Sequence, residues 1–337
     1  MRTNLCKLLG IDVPVIVAPM GFVTGPELAA AVSNAGGLGI MSFSGNPPAV
    51  LRQEIRSLRE LTSKPFGVNL VLQFPMEEHF QVCLAEEVPV VSFFWGDVAP
   101  FVKRAHAAGL KVLDQVGSVE AARRSAQAGV DAVIAQGVEA GGHVAGQVTT
   151  MILVPRVCDA ISPTPVAAAG GIADGRGLVA ALALGAEAVV LGTRFLATPE
   201  ARAHPIYKEK VLAATEEDTV RTTLFGHGWP NAPQRTLRTA FVERWLREES
   251  RGSEERADEP VIGQTSIGGQ TVPLHRFMGF PPSVDASGDI ESMNLLAGQS
   301  AGLTTEIKPA AAIVHELISQ ATAIMSARLG AMSAKSA

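Results

Sequence analysis

Short apolar runs recur along the first 193 residues, at 13–18, 38–42, 66–72, 88–94, 111–116, 130–135, 165–169 and 188–191. Each is four to seven residues long and ends in a Gly, Pro or polar turn, which is how a strand buried on both faces reads. Between the runs the apolar positions switch to helical spacing. In 47–61, for example, Val50, Leu51, Ile55, Leu58 and Leu61 share one face. Thr24 is a candidate N-cap for a helix over 24–34, and Ala-Gly pairs close several of the helical segments before the next strand begins. Eight strand–helix units of about 25 residues predict a parallel sheet, and the count of eight favours a closed barrel over a doubly wound sheet. The expected class is therefore α/β, a (β/α)8 TIM barrel.

The alternation stops after residue 193. Helical patterns return at 204–214, 236–249, 292–301 and 309–327, the last with Ile313, Val314, Leu317, Ile318 and Ala321 on one face. The stretch 250–289 is polar and rich in Gly and Pro and reads as a mobile excursion that could cover the barrel mouth. The predicted organisation is a barrel over 1–200, an added, mainly helical cap over 201–300, and a C-terminal helix within 301–337 that docks back on the barrel.

Composition narrows the function. Of 337 residues, 47% are hydrophobic and 18% charged, enough for a sizeable core, and the net charge of −5 argues against a nucleic-acid or membrane-surface partner. Cys6, Cys83 and Cys158 have no metal-ligand spacing, so no metal is expected and the thiols read as buried residues of a reducing compartment. With neither a secretory leader pattern nor a long charge-free apolar run, a cytoplasmic location is expected.

Chemistry in such a barrel belongs at the C-terminal ends of the strands. Those ends offer Pro19 and Met20, Ser42, Asn69, Ser92, Gln115, Gln136, the EAGGH loop at 139–143, Gly170 with Gly171, and Gly192 with Thr193. The glycine turns after strands seven and eight form the common barrel phosphate site, in which backbone N–H groups and a helix N-terminus hold a dianion. Arg176 and Arg194 are candidate helpers there or surface ion pairs. A phosphate anchor beside an uncharged, amide-lined pocket suits a flavin mononucleotide. A phosphorylated sugar is the other candidate, but no lysine or carboxylate pair stands at the strand ends to act on one. His143, after two glycines, is the candidate catalytic group, and Glu139 a candidate for orienting its loop. His227 and Trp229 could close over the pocket or simply pack, and the remaining histidines have no assigned role.

Five segments together resemble the nitronate monooxygenase family: APM at 18–20, GVNL at 67–70, AQGVEAGGH at 135–143, AAGGIADGRG at 168–177 and LGTRFLAT at 191–198. LLAGQSAGL at 295–303 is similar too, so the resemblance spans nearly the whole chain. It implies FMN as cofactor, contacted by Ala18, Pro19, Met20, Asn69, Gln115, Gln136, Gly141, Gly142, Gly170, Gly171, Gly192 and Thr193. It also implies that His143 is the base, that a small-molecule nitronate or nitroalkane and O2 are the partners, and that the products are a carbonyl compound and nitrite. A homodimer is left open. The fourth strand departs from the family: SFFWG at 92–96 places Phe94 where many members carry histidine, which implies a bulkier or more apolar substrate or a different reaction. The rival expectations are an NAD(P)H-dependent flavin reductase of the related enoyl-acyl-carrier-protein or quinone reductase type and, from another class, a barrel isomerase or lyase acting on a phosphorylated substrate.

Overall fold

The computed structural model describes residues 1–43, 46–254, 256 and 258–329. Eight parallel strands form the body: β1 (Val15–Val17), β2 (Gly39–Phe43), β3 (Phe66–Val71), β4 (Val90–Phe94), β5 (Lys111–Val116), β6 (Ala132–Gln136), β7 (Val166–Ala169) and β8 (Ala188–Leu191). They pair in chain order, and β1 pairs back onto β8 with Val15 opposite Val189. A parallel bridge from Ile16 to Leu38, just before β2, closes the ring. The fold is the expected (β/α)8 barrel with a cap added after β8.

Strand alternation divides the core in two. Ile16, Ile40, Val90, Leu113, Ile134, Ala167 and Val190 form the inner cluster. Their neighbours in sequence, such as Met41, Val91, Val112, Val133 and Val189, belong to the layer between strands and helices. Helix α1 (Asn4–Leu9), which the strand count did not anticipate, adds Leu5, Cys6 and Leu9 to the inner cluster. Thr3 caps it, and the Thr3 hydroxyl donates to the carbonyl of Glu187, just before β8, which fixes the helix under the barrel.

Around the barrel lie α2 (Pro26–Asn34), α3 (Pro48–Leu61), α4 (Glu77–Ala85), α5 (Ala99–Ala107), α6 (Val119–Ala128), α7 (Thr150–Ile161), α8 (Gly175–Ala183) and the short α9 (Thr193–Leu196). The cap follows with α10 (Pro205–Ala213), β9 (Thr219–Thr222), β10 (Gln234–Leu237), α11 (Ala240–Trp245), α12 (Glu249–Ser253), β11 (Val261–Ile267) and β12 (Gln270–His275). β9 and β10 are antiparallel, and β10 also pairs with Gly142–His143, setting Gln234 opposite His143. The loop that carries the candidate base is thus stitched to the cap by backbone pairing.

The cap departs from the sequence reading in three places. The 236–249 helix pattern begins as strand, because β10 finds β9 as a hydrogen-bonding partner, and helix starts only after Thr239 caps α11. The polar 250–289 stretch contains the β11–β12 hairpin, turned by Gly268 and Gly269 at φ +58° and +80°, so the cap carries strand as well as helix. Residues 292–301 are helical only in short 3-10 turns, and Gly298 packs against the loop before His143, where a Cβ would lie 2.7 Å from the Gly141 nitrogen.

Helix α13 (Ala310–Ala323) returns to the barrel. Ala310, Ile313, Val314, Leu317 and Ala321 are buried where it contacts α2 and α8. Gln320 accepts a hydrogen bond from the N–H of Gly175 at the start of α8. The run Ala310–Ala327 has the length and apolarity of a membrane span, but this packed face is also what a docking helix requires.

Candidate active site

The period of two that builds the inner core also fills the barrel mouth. Moving two residues on from Gly67, Leu113 and Ile134 gives Asn69, Gln115 and Gln136 on the same face, now at the C-terminal ends of β3, β5 and β6. Asp114 has the opposite parity. It is buried against α6, where the Ser125 hydroxyl donates to its carboxylate, and burial raises its pKa from 3.8 to about 7. The Asn69 amide donates to the carbonyl of Ser92 at 3.1 Å, and Gln136 Nε2 donates to the carbonyl of His143 at 3.1 Å. Gln136 Oε1 is buried without a partner among the described residues, an acceptor held ready at the pocket floor.

One cavity of about 450 Å³ opens above these amides. It is lined by the residues that the family resemblance implies for cofactor and base, Ala18, Pro19, Met20, Asn69, Gln115, Gln136, Gly141, Gly142, His143, Gly170, Gly171, Gly192 and Thr193, whereas Ser92, Glu139, Arg176 and Arg194 lie outside it. Among the described residues no Asp, Glu, Lys or Arg lines it. Gly170 and Gly171 turn after β7 at φ +103° and +70°, and a Cβ on Gly170 would sit 3.0 Å from the Gly137 carbonyl oxygen. Among the described residues no acceptor takes the N–H groups of Gly170, Gly171, Gly192 or Thr193. Thr193 Oγ1 instead receives the N–H of Gly298, tying the rim to the LLAGQSAGL segment.

These features fit a flavin mononucleotide: unused N–H donors for a phosphate, and amides for a polar ring edge. Neither candidate arginine contributes. Arg176 pairs with Asp174 at the surface, and Arg194 turns away to donate to the carbonyl of Glu306. Glu139 orients its loop, for its carboxylate accepts from both the N–H and the hydroxyl of Thr150. Among the described residues no three His, Cys, Asp or Glu side chains converge as metal ligands.

His143 stands where the rim meets the cap. Its ring stacks on Trp229 with centroids 3.9 Å apart and planes 21° from parallel, and Trp95 meets it edge-on at 6.0 Å. Its Nε2 is buried and has no hydrogen-bond partner among the described residues. Desolvation pushes the imidazole from its ordinary 6.5 down to about 3, so the ring is neutral at physiological pH.

The cap and the barrel helices supply further lining residues. Trp229 and His227 do reach the cavity, from a cap loop pinned by His227 N–H to the Phe277 carbonyl and Asn231 N–H to the Ser253 carbonyl. His79, placed on a helix and given no role, lines the cavity with Nε2 2.7 Å from the carbonyl oxygen of Asn46. Phe22 and Phe280 pack at 4.8 Å, and Tyr207 lies buried with its hydroxyl donating to the Leu296 carbonyl. Phe22 and Trp95 hold φ of +60° and +62°, a strained conformation for bulky residues that no sequence pattern signals.

A family model described as nitronate monooxygenase matches residues 2–320. Among curated proteins, the (3aS,4S,5R,7aS)-5-hydroxy-7a-methyl-1-oxo-octahydro-1H-indene-4-carboxyl-CoA dehydrogenase of Rhodococcus jostii is 42% identical over 72% of this chain and 67% of its own. Among solved structures, FabK from Thermotoga maritima superposes with a TM-score of 0.81 at 39% identity, covering 98% of this chain and 99% of its own. A nitroalkane oxidase from Streptomyces ansochromogenes gives 0.78 at 30% identity, covering 96% and 99%.

Proposed function

The chain belongs to the nitronate monooxygenase family, and from that premise we propose an FMN-dependent oxidoreductase that converts nitroalkanes or their nitronates, with O2, to a carbonyl compound and nitrite. The observation that carries this reading is the meeting in one uncharged cavity of unused phosphate-turn N–H groups, an amide floor and the neutral imidazole of His143. Gly170, Gly171, Gly192 and Thr193 would hold the phosphate, and Asn69, Gln115 and Gln136 the polar edge of the ring. FMN, when bound, supplies the electron-transfer chemistry.

The protein's own residues handle the proton. Neutral His143 accepts the α-proton of a nitroalkane, the C–H electron pair moves onto the nitro group, and the pair becomes nitronate and imidazolium. A ring with a pKa near 3 is a weak base by itself. The anion formed beside it raises its proton affinity at the moment of transfer. Phe22, Phe74, Met76, Phe94 and Phe280 exclude water and select for an apolar substrate. Phe94, in the position where family members carry histidine, offers no hydrogen bond, which favours a bulkier substrate than a small nitroalkane.

The likeness to FabK over 98% of the chain supports a second reading, the NAD(P)H-dependent flavin reductase of the enoyl-acyl-carrier-protein or quinone type. Anaerobic mixing separates the two. Under the first reading a nitronate bleaches the yellow protein and NADH or NADPH does not. Bleaching by a pyridine nucleotide alone establishes the reductase and removes the monooxygenase.

A further inference from the structure

His143 lacks the partner a proton-accepting imidazole ordinarily has. No carboxylate or carbonyl among the described residues accepts a hydrogen bond from its ring. Among the described residues, the charged groups on its own loop and on β9 and β10 have other partners. Glu139 on its own loop holds Thr150, Arg221 on β9 donates to the carbonyl of Val144, and Arg235 on β10 donates to Val138 and Thr219. His227, the other imidazole on the facing loop, stacks on His275 at 5.7 Å. What does meet the His143 ring is the face of Trp229, itself wedged by the edges of Phe74 at 5.3 Å and Trp95 at 5.1 Å. The backbone N–H of Trp229 donates to the carbonyl of Gly226, and Gly228 turns the loop between them at φ +88°.

We propose that Trp229 is the positioning partner of His143: its indole face fixes the imidazole plane and stabilises the imidazolium formed when that ring takes a proton from substrate. The second half of this rests on the proton-transfer reading above. A neutral imidazole gains only packing from an indole face, whereas a cation within about 6 Å of the ring centroid is attracted by its quadrupole, most strongly to Trp and where water is excluded. The attraction therefore appears as the proton arrives, which is when a desolvated ring needs it. The proton balance is unchanged: it leaves the substrate carbon, its electron pair stays on the substrate, and the charge gained by the imidazole is shared with the indole face.

The test replaces Trp229 in the full-length protein with tryptophans of increasing fluorination, which keep the indole shape and drain its face. Two quantities are read. One is the His143 pKa, by NMR of ring-labelled histidine assigned with His143→Asn. The other is the rate at which a nitroalkane exchanges its α-proton in D2O. Across the series the pKa is expected to fall by about half to one unit and the exchange rate by about three- to tenfold. Trp229→Phe should retain more exchange than Trp229→Leu. A pKa that ignores fluorination, or equal losses in Phe and Leu, makes Trp229 mere packing and overturns the proposal. A pKa that follows fluorination without any His143-dependent exchange upholds the stacking partnership and removes the proton-abstraction reading instead.

Discussion

The cavity has two walls built by different rules. The barrel wall is periodic: two-residue steps along β3, β5 and β6 bring Asn69, Gln115 and Gln136 to the mouth, and two glycine turns after β7 and β8 leave backbone donors unused. The cap wall is aperiodic and aromatic. Trp229, Phe280 and Tyr207 arrive from separate loops and a helix, and none shares a repeat with another. The barrel wall has the donors and acceptors that a phosphate-bearing flavin would need. The cap wall has shape, apolarity and little polarity, which is how a site chooses among substrates. His143 is the seam, a rim residue paired through its backbone to Gln234 of the cap.

If the two walls divide the work in this way, substitutions should separate along the same line. His143→Asn should cost the most, about 10²- to 10⁴-fold in turnover of a neutral nitroalkane, with flavin binding unchanged. Steady-state rates and flavin absorbance of the purified variant check it, and unimpaired turnover removes the base assignment. Gly170→Val, on the barrel wall, places a β-branched residue at φ +103° with its Cβ against the Gly137 carbonyl. The FMN dissociation constant should rise roughly ten- to a hundredfold, seen by flavin fluorescence titration. Equal loss of flavin from a cap variant such as Trp229→Leu would dissolve the distinction between the walls.

Tyr207→Phe probes the cap from beneath. It leaves the Leu296 carbonyl without its buried donor, so the protein should lose about 1–3 kcal/mol in urea denaturation while still binding FMN. The smallest expected effect is one of cancellation. The depressed pKa of His143 means the unfolded chain binds a proton that the folded chain refuses, so stability is lost as pH falls from 6.5 towards 3. The raised pKa of Asp114 acts oppositely: the folded chain retains a proton that the unfolded chain has released, so stability is lost as pH rises from 3.8 to about 7. Between about pH 4 and 6.5 the two slopes should nearly offset. His143→Asn should then leave stability falling with rising pH, and Asp114→Asn should leave it rising, as thermal midpoints across that range would show.

Much of the barrel wall was legible in sequence because its determinants are local. The eight apolar runs, the Gly-Gly and Gly-Thr turns and the parity of Gln136 against Ile134 need no knowledge of distant residues. Asp114, of the opposite parity to Gln115, lies outside the barrel for the same reason, against Ser125 of α6. The arginines near the turns gave no comparable signal. Position in sequence put Arg176 and Arg194 close to the phosphate turns, but ion pairing and a carbonyl 112 residues away point both elsewhere.

What the sequence determined alone is the alternation of strand and helix, the closure count of eight, and the identity of the groups at the strand ends, because periods of two and 3.6 and the special torsions of glycine are fixed within a few residues. What only the tertiary structure decided is the other half of the pocket. Within the polar stretch 250–289 a hairpin formed because β11 and β12 found each other. Gln234 was set opposite His143 only once the cap had closed on the rim. Trp229 came to lie 3.9 Å from an imidazole 86 positions earlier in the chain. Contacts of that range depend on where whole elements pack, and no local pattern encodes them.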